Sequence, residues 1–217
     1  MVSSSLIDDA VQKIDGCHLC ELEGVPRLRV PVGAKFHPPV PPPRPTRLLF
    51  VAVAPPWGGG FFWDESREDR LRGGLLRAVS EATRESIDSI DQFRHLGFYL
   101  LPAVRCPSED AGRDHPPSVA AIRNCERHLL RMLEAICPER IVTLGQAPLR
   151  AVSELFGLPL PRRLSELRSV IQWARLGGDS IPVASAYFAG NNRHRGFGDI
   201  VRAIEQVLST HTERQKA

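Results

Sequence analysis

The sequence lacks any long hydrophobic run. No stretch long enough to cross a bilayer occurs in it, and its first residues show no positively charged leader followed by an apolar segment. We therefore expect neither a membrane span nor a signal peptide, and we expect a cytoplasmic location. Structural disulfides are rare in a reducing compartment, so spaced cysteines in this chain are more typical of metal ligands or redox groups.

The sequence also lacks a strong excess of positive charge. The formal net charge is +3 over 217 residues. Surfaces that bind nucleic acids usually show a pronounced basic excess or a basic stripe. The charge therefore permits DNA binding without indicating it. There is no internal repeat, and nothing in the composition suggests a fibrous or repeat protein.

The remaining composition favours one α/β domain spanning 1–217, since 42% of the residues are hydrophobic and can bury one substantial core. Short apolar runs typical of buried parallel strands lie at 47–53, 97–104, 140–144 and 180–185. Helical patterns lie at about 69–87, 118–136, 146–156 and 197–208. The alternation predicts right-handed crossovers and a parallel sheet. A proline-rich strap at 38–45 is expected to run over the surface.

Four of the five cysteines are spaced like metal ligands. Cys17 and Cys20 form a CxxC turn, while Cys106 follows a predicted strand and Cys125 lies on the inward stripe of the next predicted helix. Thiolates suit both zinc and iron. The wide spacing of the second pair slightly favours an iron–sulfur cluster, but zinc and a set of unrelated buried cysteines stay open. Cys137, the fifth cysteine, is not expected to be a ligand.

A longer pattern surrounds these cysteines. The stretch 99–106 reads YLLPAVRC and is followed by IRNC at 122–125, PERIVTLG at 138–145 and APLRA at 147–151. This series resembles the iron–sulfur members of the uracil-DNA glycosylase superfamily, often called family 4, and the similarity extends over about residues 14–208.

The resemblance implies a [4Fe–4S] cluster held by the four cysteines, with zinc as the runner-up. It also implies a three-layer sandwich in which helices flank a central four-stranded parallel sheet, with the active site at the carboxyl ends of the strands. We expect a monomer whose partner is DNA.

The polar residues that the resemblance implies for the chemistry are missing. The family has an acid in the first loop, an asparagine at the end of the second strand and a histidine in the last loop. These positions hold Val53, Pro102 and Ser185. Valine can neither activate nor orient a water, so any catalysis requires a rearranged mechanism.

Replacement residues can be named from the sequence. The nearest carboxylate is Asp64, a tentative catalytic residue, although acids in such a place are more often helix caps. The aromatic rings after the glycine-rich loop either stack on a flipped base or pack the loop onto the core. The expected base pocket consists of Ala54, Pro55, Phe61, Phe62, Pro102 and Ser185. The expected DNA contacts are Asn191, Asn192, Arg193 and Arg195.

The leading hypothesis is a uracil-DNA glycosylase-like repair protein that binds DNA and excises a deaminated or damaged base by hydrolysing its N-glycosidic bond. The alternative is a non-catalytic module that binds DNA or abasic sites and kept the fold and the cluster. A third hypothesis is a cluster-bearing redox or structural protein with no nucleic-acid role.

Overall fold

The computed structural model of the chain describes residues 4–28, 40–57, 61–167, 169–187 and 196–210. The helices are α1 (Ser4–Asp15), α2 (Leu19–Leu22), α3 (Arg70–Thr83), α4 (Ile90–His95), α5 (Val119–Ile136), α6 (Gln146–Phe156) and α7 (Gly196–Ser209), with a 3₁₀ turn at Leu164–Leu167. The strands are β1 (Leu48–Ala52), β2 (Phe98–Pro102), β3 (Glu109–Asp110), β4 (Arg113–Asp114), β5 (Ile141–Leu144), β6 (Gln172–Leu176) and β7 (Asp179–Ala186). In these ranges no helix is both long and apolar enough to cross a bilayer.

The central sheet has the strand order β2-β1-β5-β7-β6. Strand β1 pairs in parallel with β2 on one side and β5 on the other, and β5 pairs in parallel with β7. These four are the predicted strands. The α/β sandwich is confirmed, because helices cover both faces and every residue of β1, β2 and β5 is buried.

The fifth strand, β6, was not predicted. It pairs antiparallel with β7 through a two-residue turn, in which Gly177 and Gly178 have φ values of 59° and 93°. Such a turn matches the right-handed twist of a hairpin and is open to glycine without strain. The strand alternates buried and exposed residues, with Trp173 exposed between Gln172 and Ala174. The sheet is therefore parallel over four strands and antiparallel at one edge.

Helix α5 forms as its stripe of apolar residues predicts. The Ser118 hydroxyl accepts a hydrogen bond from the Ala121 N–H at 3.2 Å, which caps the first turn. The helix ends at Cys137, whose φ of 50° stops the helical path. Cys125 and Leu129 lie on the buried face. Helix α1 packs against this helix and brings the CxxC turn beside it.

An aromatic cluster joins the loop at 61–63 to the sheet through α4. The ring of Phe93 lies 5.7 Å from Phe50, 5.1 Å from Phe62 and 5.8 Å from Phe98, measured between centroids. Phe93 is fully buried. Helix α4 was not predicted because six residues are too few to show a helical period.

The proline-rich strap lies partly in the described part of the chain, since 38 and 39 fall outside it. Residues 40–45 form no regular element. The Tyr99 hydroxyl donates to the Val40 carbonyl at 2.6 Å, and the Arg94 guanidinium donates to the Pro41 carbonyl at 3.2 Å. These bonds hold the segment against β2 and α4.

Replacing Phe93 with alanine is expected to lower the free energy of unfolding by about 3–5 kcal/mol, because it leaves a cavity among three aromatic rings. Urea unfolding followed by circular dichroism measures the change. The control is Leu6→Ala on the exposed side of α1, where Leu6 is 49% exposed and the change should stay within about 0.5 kcal/mol. Equal effects of the two substitutions would contradict the central place of Phe93.

Candidate active site and cysteine pocket

The loops after β1 and β2 run side by side at the carboxyl edge of the sheet. The Ala103 N–H donates to the Ala52 carbonyl at 2.8 Å, and the Val104 N–H donates to the Val53 carbonyl at 3.1 Å. Parallel pairing sets Ala52 opposite Pro102. The first loop and the second strand end, both named in the sequence analysis, therefore lie next to each other.

The last loop starts at the same edge. Strand β7 pairs with β5 so that Ser185 lies opposite Thr143, and the Thr143 hydroxyl donates to the Ser185 hydroxyl at 2.8 Å. The Gly145 N–H donates to the Ala186 carbonyl at 2.8 Å. Ser185, at the position where the resemblance implies a histidine, thus belongs to a hydroxyl pair with the buried Thr143. Such a pair is neutral and can donate or accept a hydrogen bond.

The side chains nearest the first strand end are apolar. Val53 and Ala54 are half-buried, while Pro55 and Pro102 are buried. They can shape an apolar wall for a base, but they offer no side-chain acid or base. The two prolines at positions 55 and 56 also lack backbone N–H groups, so donors to a base must come from elsewhere.

The aromatic rings after the glycine-rich loop pack into the core. Phe61 is 5% exposed, Phe62 is fully buried and Trp63 is 7% exposed. Phe62 meets Trp63 edge-on at 5.0 Å, and Trp63 lies 4.9 Å from Tyr99. Phe62 is therefore a core residue in this structure. The neighbouring glycines at 58–60 lie outside the described residues.

Asp64 sits in a tight turn of its own. Its carboxylate accepts hydrogen bonds from the Ser66 hydroxyl at 2.5 Å and the Ser66 N–H at 3.1 Å, and Arg67 lies 3.6 Å away. The hydrogen bond from the Ser66 hydroxyl lowers the pKa of Asp64. Glu65 accepts a hydrogen bond from the Ile90 N–H at the start of α4. Both acids thus hold the loop in shape.

A second carboxylate lies at the first loop, and the sequence analysis missed it. Asp114, on the β3–β4 hairpin, accepts a hydrogen bond from the Trp57 N–H at 2.5 Å. Asp114 is exposed. Fifty-seven residues separate the two partners, so only the folded chain brings them together.

The hairpin that carries Asp114 is itself anchored. Arg27 binds His115 at 3.2 Å and pairs with Asp110 at 3.5 Å. The turn between its strands has positive φ at Ala111 and Gly112. Two strands of two residues each are too short to leave a period in the sequence, so the only available signal was the Ala-Gly turn.

The predicted DNA-contacting residues Asn191, Asn192, Arg193 and Arg195 lie outside the described residues. The chain is described up to Tyr187 and again from the start of α7 at Gly196.

The four cysteines singled out in the sequence line one pocket, together with Arg105 and His128. Cys17 follows α1, Cys20 lies in α2, Cys106 follows β2 and Cys125 lies in α5. Cys17 is half-buried and the other three are buried. Cys137 is exposed at the far end of α5, where its thiol donates to the Glu134 carbonyl at 2.9 Å.

Burial raises the pKa of the Cys125 thiol to about 11 and also raises the pKa of Cys20. Donors partly offset this. The Asn124 amide donates to the Cys20 sulfur at 3.5 Å, and the Arg127 guanidinium donates to the Cys17 sulfur at 3.5 Å. Without a bound cation the buried thiols stay protonated near neutral pH, because desolvation disfavours the thiolate.

Among the described residues, which include all five cysteines, no group of three or more cysteine, histidine or acidic side chains is arranged to hold one metal ion. The four cysteines thus share a pocket without forming a finished metal site.

The comparisons with known proteins agree with the resemblance noted in the sequence. The family model described as the uracil DNA glycosylase superfamily matches residues 38–203. A type-4 uracil-DNA glycosylase of Archaeoglobus fulgidus is 26% identical over 183 residues, which are 83% of this chain and 80% of that protein. A type-5 uracil-DNA glycosylase of Pyrobaculum aerophilum is 28% identical over 117 residues, which are 51% of this chain and 50% of that protein. The non-catalytic alternative gains no support from either relative.

Proposed function

The chain belongs to the uracil DNA glycosylase superfamily, and we propose that it is a DNA glycosylase that hydrolyses the N-glycosidic bond of a deaminated or damaged base. The observation that carries this proposal is the match over residues 38–203, which include the ends of all four parallel strands. Ligands of open α/β sheets bind at the carboxyl ends of parallel strands. Both relatives are named as uracil-DNA glycosylases.

The reaction needs a flipped base, a positioned water and a stabilised leaving group. The water oxygen bonds to the sugar carbon as the bond from that carbon to the base nitrogen breaks, and the base leaves with the bonding electron pair. Ala54, Pro55 and Pro102 form the apolar wall of the base pocket. The Ser185 hydroxyl, oriented by Thr143, donates a hydrogen bond to the leaving base. Phe61 borders the pocket beside the glycine-rich loop.

A carboxylate is needed to orient the water, and Asp114 is better suited to this role than Asp64. Both oxygens of Asp64 face its own turn, where Ser66 and Arg67 hold it. Asp114 is held at the first loop by one hydrogen bond, from the Trp57 N–H, which leaves its second oxygen available to a water. In this proposal Asp114 of the β3–β4 hairpin takes the role that the acid of the first loop has in the family.

The four cysteines of the pocket are proposed to hold a [4Fe–4S] cluster. Thiolates from four cysteines suit both zinc and iron. The cluster is preferred because the cysteine series resembles the iron–sulfur members of the superfamily and one relative is named a type-4 uracil-DNA glycosylase. The cluster would supply structural cross-linking of α1, β2 and α5, with no part in bond cleavage.

DNA is the proposed partner. Asn191, Asn192, Arg193 and Arg195 are proposed to contact its backbone and groove from the segment before α7. A single-domain monomer is sufficient for this reaction, because the residues proposed for it come from one chain.

Base release from modified duplexes tests the proposed activity. Purified protein should release the base from at least one duplex carrying uracil, hypoxanthine or xanthine, and alkaline cleavage of the resulting abasic strand measures it on a gel. An unmodified duplex is the control, and a duplex with a preformed abasic site gives the product marker. Salt-dependent binding to these duplexes without base release from any of them would contradict the proposed glycosylase activity. It would support the alternative, a non-catalytic module that binds DNA.

Asp114→Asn is expected to lower the rate of base release by about 100-fold or more, the usual effect of losing a group that activates water. Asparagine keeps an acceptor for the Trp57 N–H, so the loop stays held and only the charge is lost. The matched control is Asp110→Asn on the same hairpin, which should keep the rate because its ion pair with Arg27 is exposed and contributes little to holding the hairpin. Loss of activity in Asp64→Asn with a normal rate in Asp114→Asn would instead assign the role to Asp64.

Cys17→Ala and Cys106→Ala are each expected to remove the brown colour and lower the yield of folded protein, because each deletes a proposed cluster ligand. Absorbance near about 400 nm and assays of iron and sulfide measure cluster content. Cys137→Ala removes an exposed thiol outside the pocket and should keep both. Normal folding of the first two variants with unchanged metal content would contradict the ligand assignment.

A further inference from the structure

Arg105 is the most deeply buried cation of the cysteine pocket. It follows the end of β2, immediately precedes Cys106, and is 2% exposed. Its side chain lines the same pocket as the four cysteines. Its backbone N–H donates a hydrogen bond to Cys125. The chain thus places a full positive charge where solvent cannot reach it.

Nothing in the described part of the chain neutralises that charge. None of the three guanidinium nitrogens of Arg105 has a hydrogen-bond partner among the described residues. The ionisable groups close enough to interact with it are Cys125 and Tyr99. The Tyr99 hydroxyl is neutral and donates to the Val40 carbonyl. A buried charge without a counter-charge is strongly unfavourable, because the protein interior does not replace the hydration that the charge has lost.

The missing counter-charge can come from the cysteine sulfurs. In a cluster, four thiolates and the bridging sulfides carry more negative charge than the irons carry positive charge. The bound site is therefore anionic, and its sulfurs accept hydrogen bonds. The unpartnered guanidinium of Arg105 in this pocket suits an anionic site, whereas four neutral thiols would leave its charge uncompensated.

We propose that Arg105 is the internal counter-ion of the cysteine pocket, a positioning residue that stabilises the bound cluster and sets its reduction potential. This inference rests on the proposed cluster. It differs from the role of the ligands, since Arg105 supplies charge and N–H donors rather than a bond to iron. Partners of this kind around metal ligands typically change metal affinity by about 10- to 100-fold.

Arg127 offers an internal comparison. It also reaches the pocket, with its guanidinium 3.5 Å from the Cys17 sulfur, but its side chain is exposed. Water and salt screen an exposed charge, so its contribution should be small. Two arginines near the same sulfurs therefore differ mainly in burial.

The test compares the purified holoprotein with Arg105→Met, Arg105→Lys and Arg127→Met. Iron and sulfide per chain, the rate at which a chelator bleaches the absorbance, and the midpoint potential are measured, with circular dichroism as the check on folding. None of these measurements depends on glycosylase activity. Methionine keeps an unbranched apolar chain without charge, and lysine keeps the charge with fewer donors.

Arg105→Met is expected to lose its cluster to the chelator about 10- to 100-fold faster than the wild type and to show a lower midpoint potential, because losing a positive charge disfavours the added electron. Arg105→Lys should give a bleaching rate and a potential between those of Arg105→Met and the wild type. If the methionine variant does not fold, the lysine variant alone is compared with the wild type. Arg127→Met should stay close to the wild type. Unchanged bleaching and potential in folded Arg105 variants would overturn the inference while leaving the cluster intact.

A different result would overturn the premise as well. A wild-type protein that binds no iron and sulfide after anaerobic reconstitution has no cluster. The proposed counter-ion role of Arg105 would then be wrong as well. Base release by that same protein would still support the proposed activity, so the two failures are distinguishable.

Discussion

Parallel pairing of β1 with β2 and β5 is the constraint on which the rest of the structure depends. Because parallel strands end at the same edge, this pairing places the loops after β1, β2, β5 and β7 together. The same pairing sends the chain after β2 past Arg105 to Cys106. The chain after β2 therefore links Pro102 of the proposed base pocket to Arg105 and Cys106 of the cysteine pocket.

The backbone that shapes the loops at this edge is held independently of the side chains that the loops carry. The hydrogen bonds that hold the loops run between backbone groups, such as Val104 to Val53, so they tolerate a change of side chain. A side chain in the first loop can therefore change while the backbone pairing that holds the loop stays in place. The bond between Trp57 and Asp114 joins those two loops.

The cysteine pocket also depends on elements that lie far apart in the sequence. Its four cysteines come from the α1–α2 segment, the loop after β2 and α5, and burial raises the pKa of the Cys20 and Cys125 thiols. Burial also lowers the pKa of Arg105, to about 10. Thiols and guanidinium are each unfavourable there alone, and a bound cluster would satisfy both. Folding and binding of the proposed cluster would therefore depend on each other at this pocket.

The sequence by itself determined the four parallel strands, the long helices and the cysteine set, because a buried strand or an amphipathic helix of several turns leaves a regular apolar pattern. It also identified the superfamily, and it predicts that three polar residues of the site are missing. The sequence did not predict helix α4, the β3–β4 hairpin or edge strand β6. Each is too short, or too mixed in polar and apolar residues, to show a regular hydrophobic period. Only the tertiary structure decided that Phe62 is core, that Asp114 reaches the first loop, and that the buried Arg105 lines the pocket of the cysteines. These are contacts between residues far apart in the chain, and no local pattern records them.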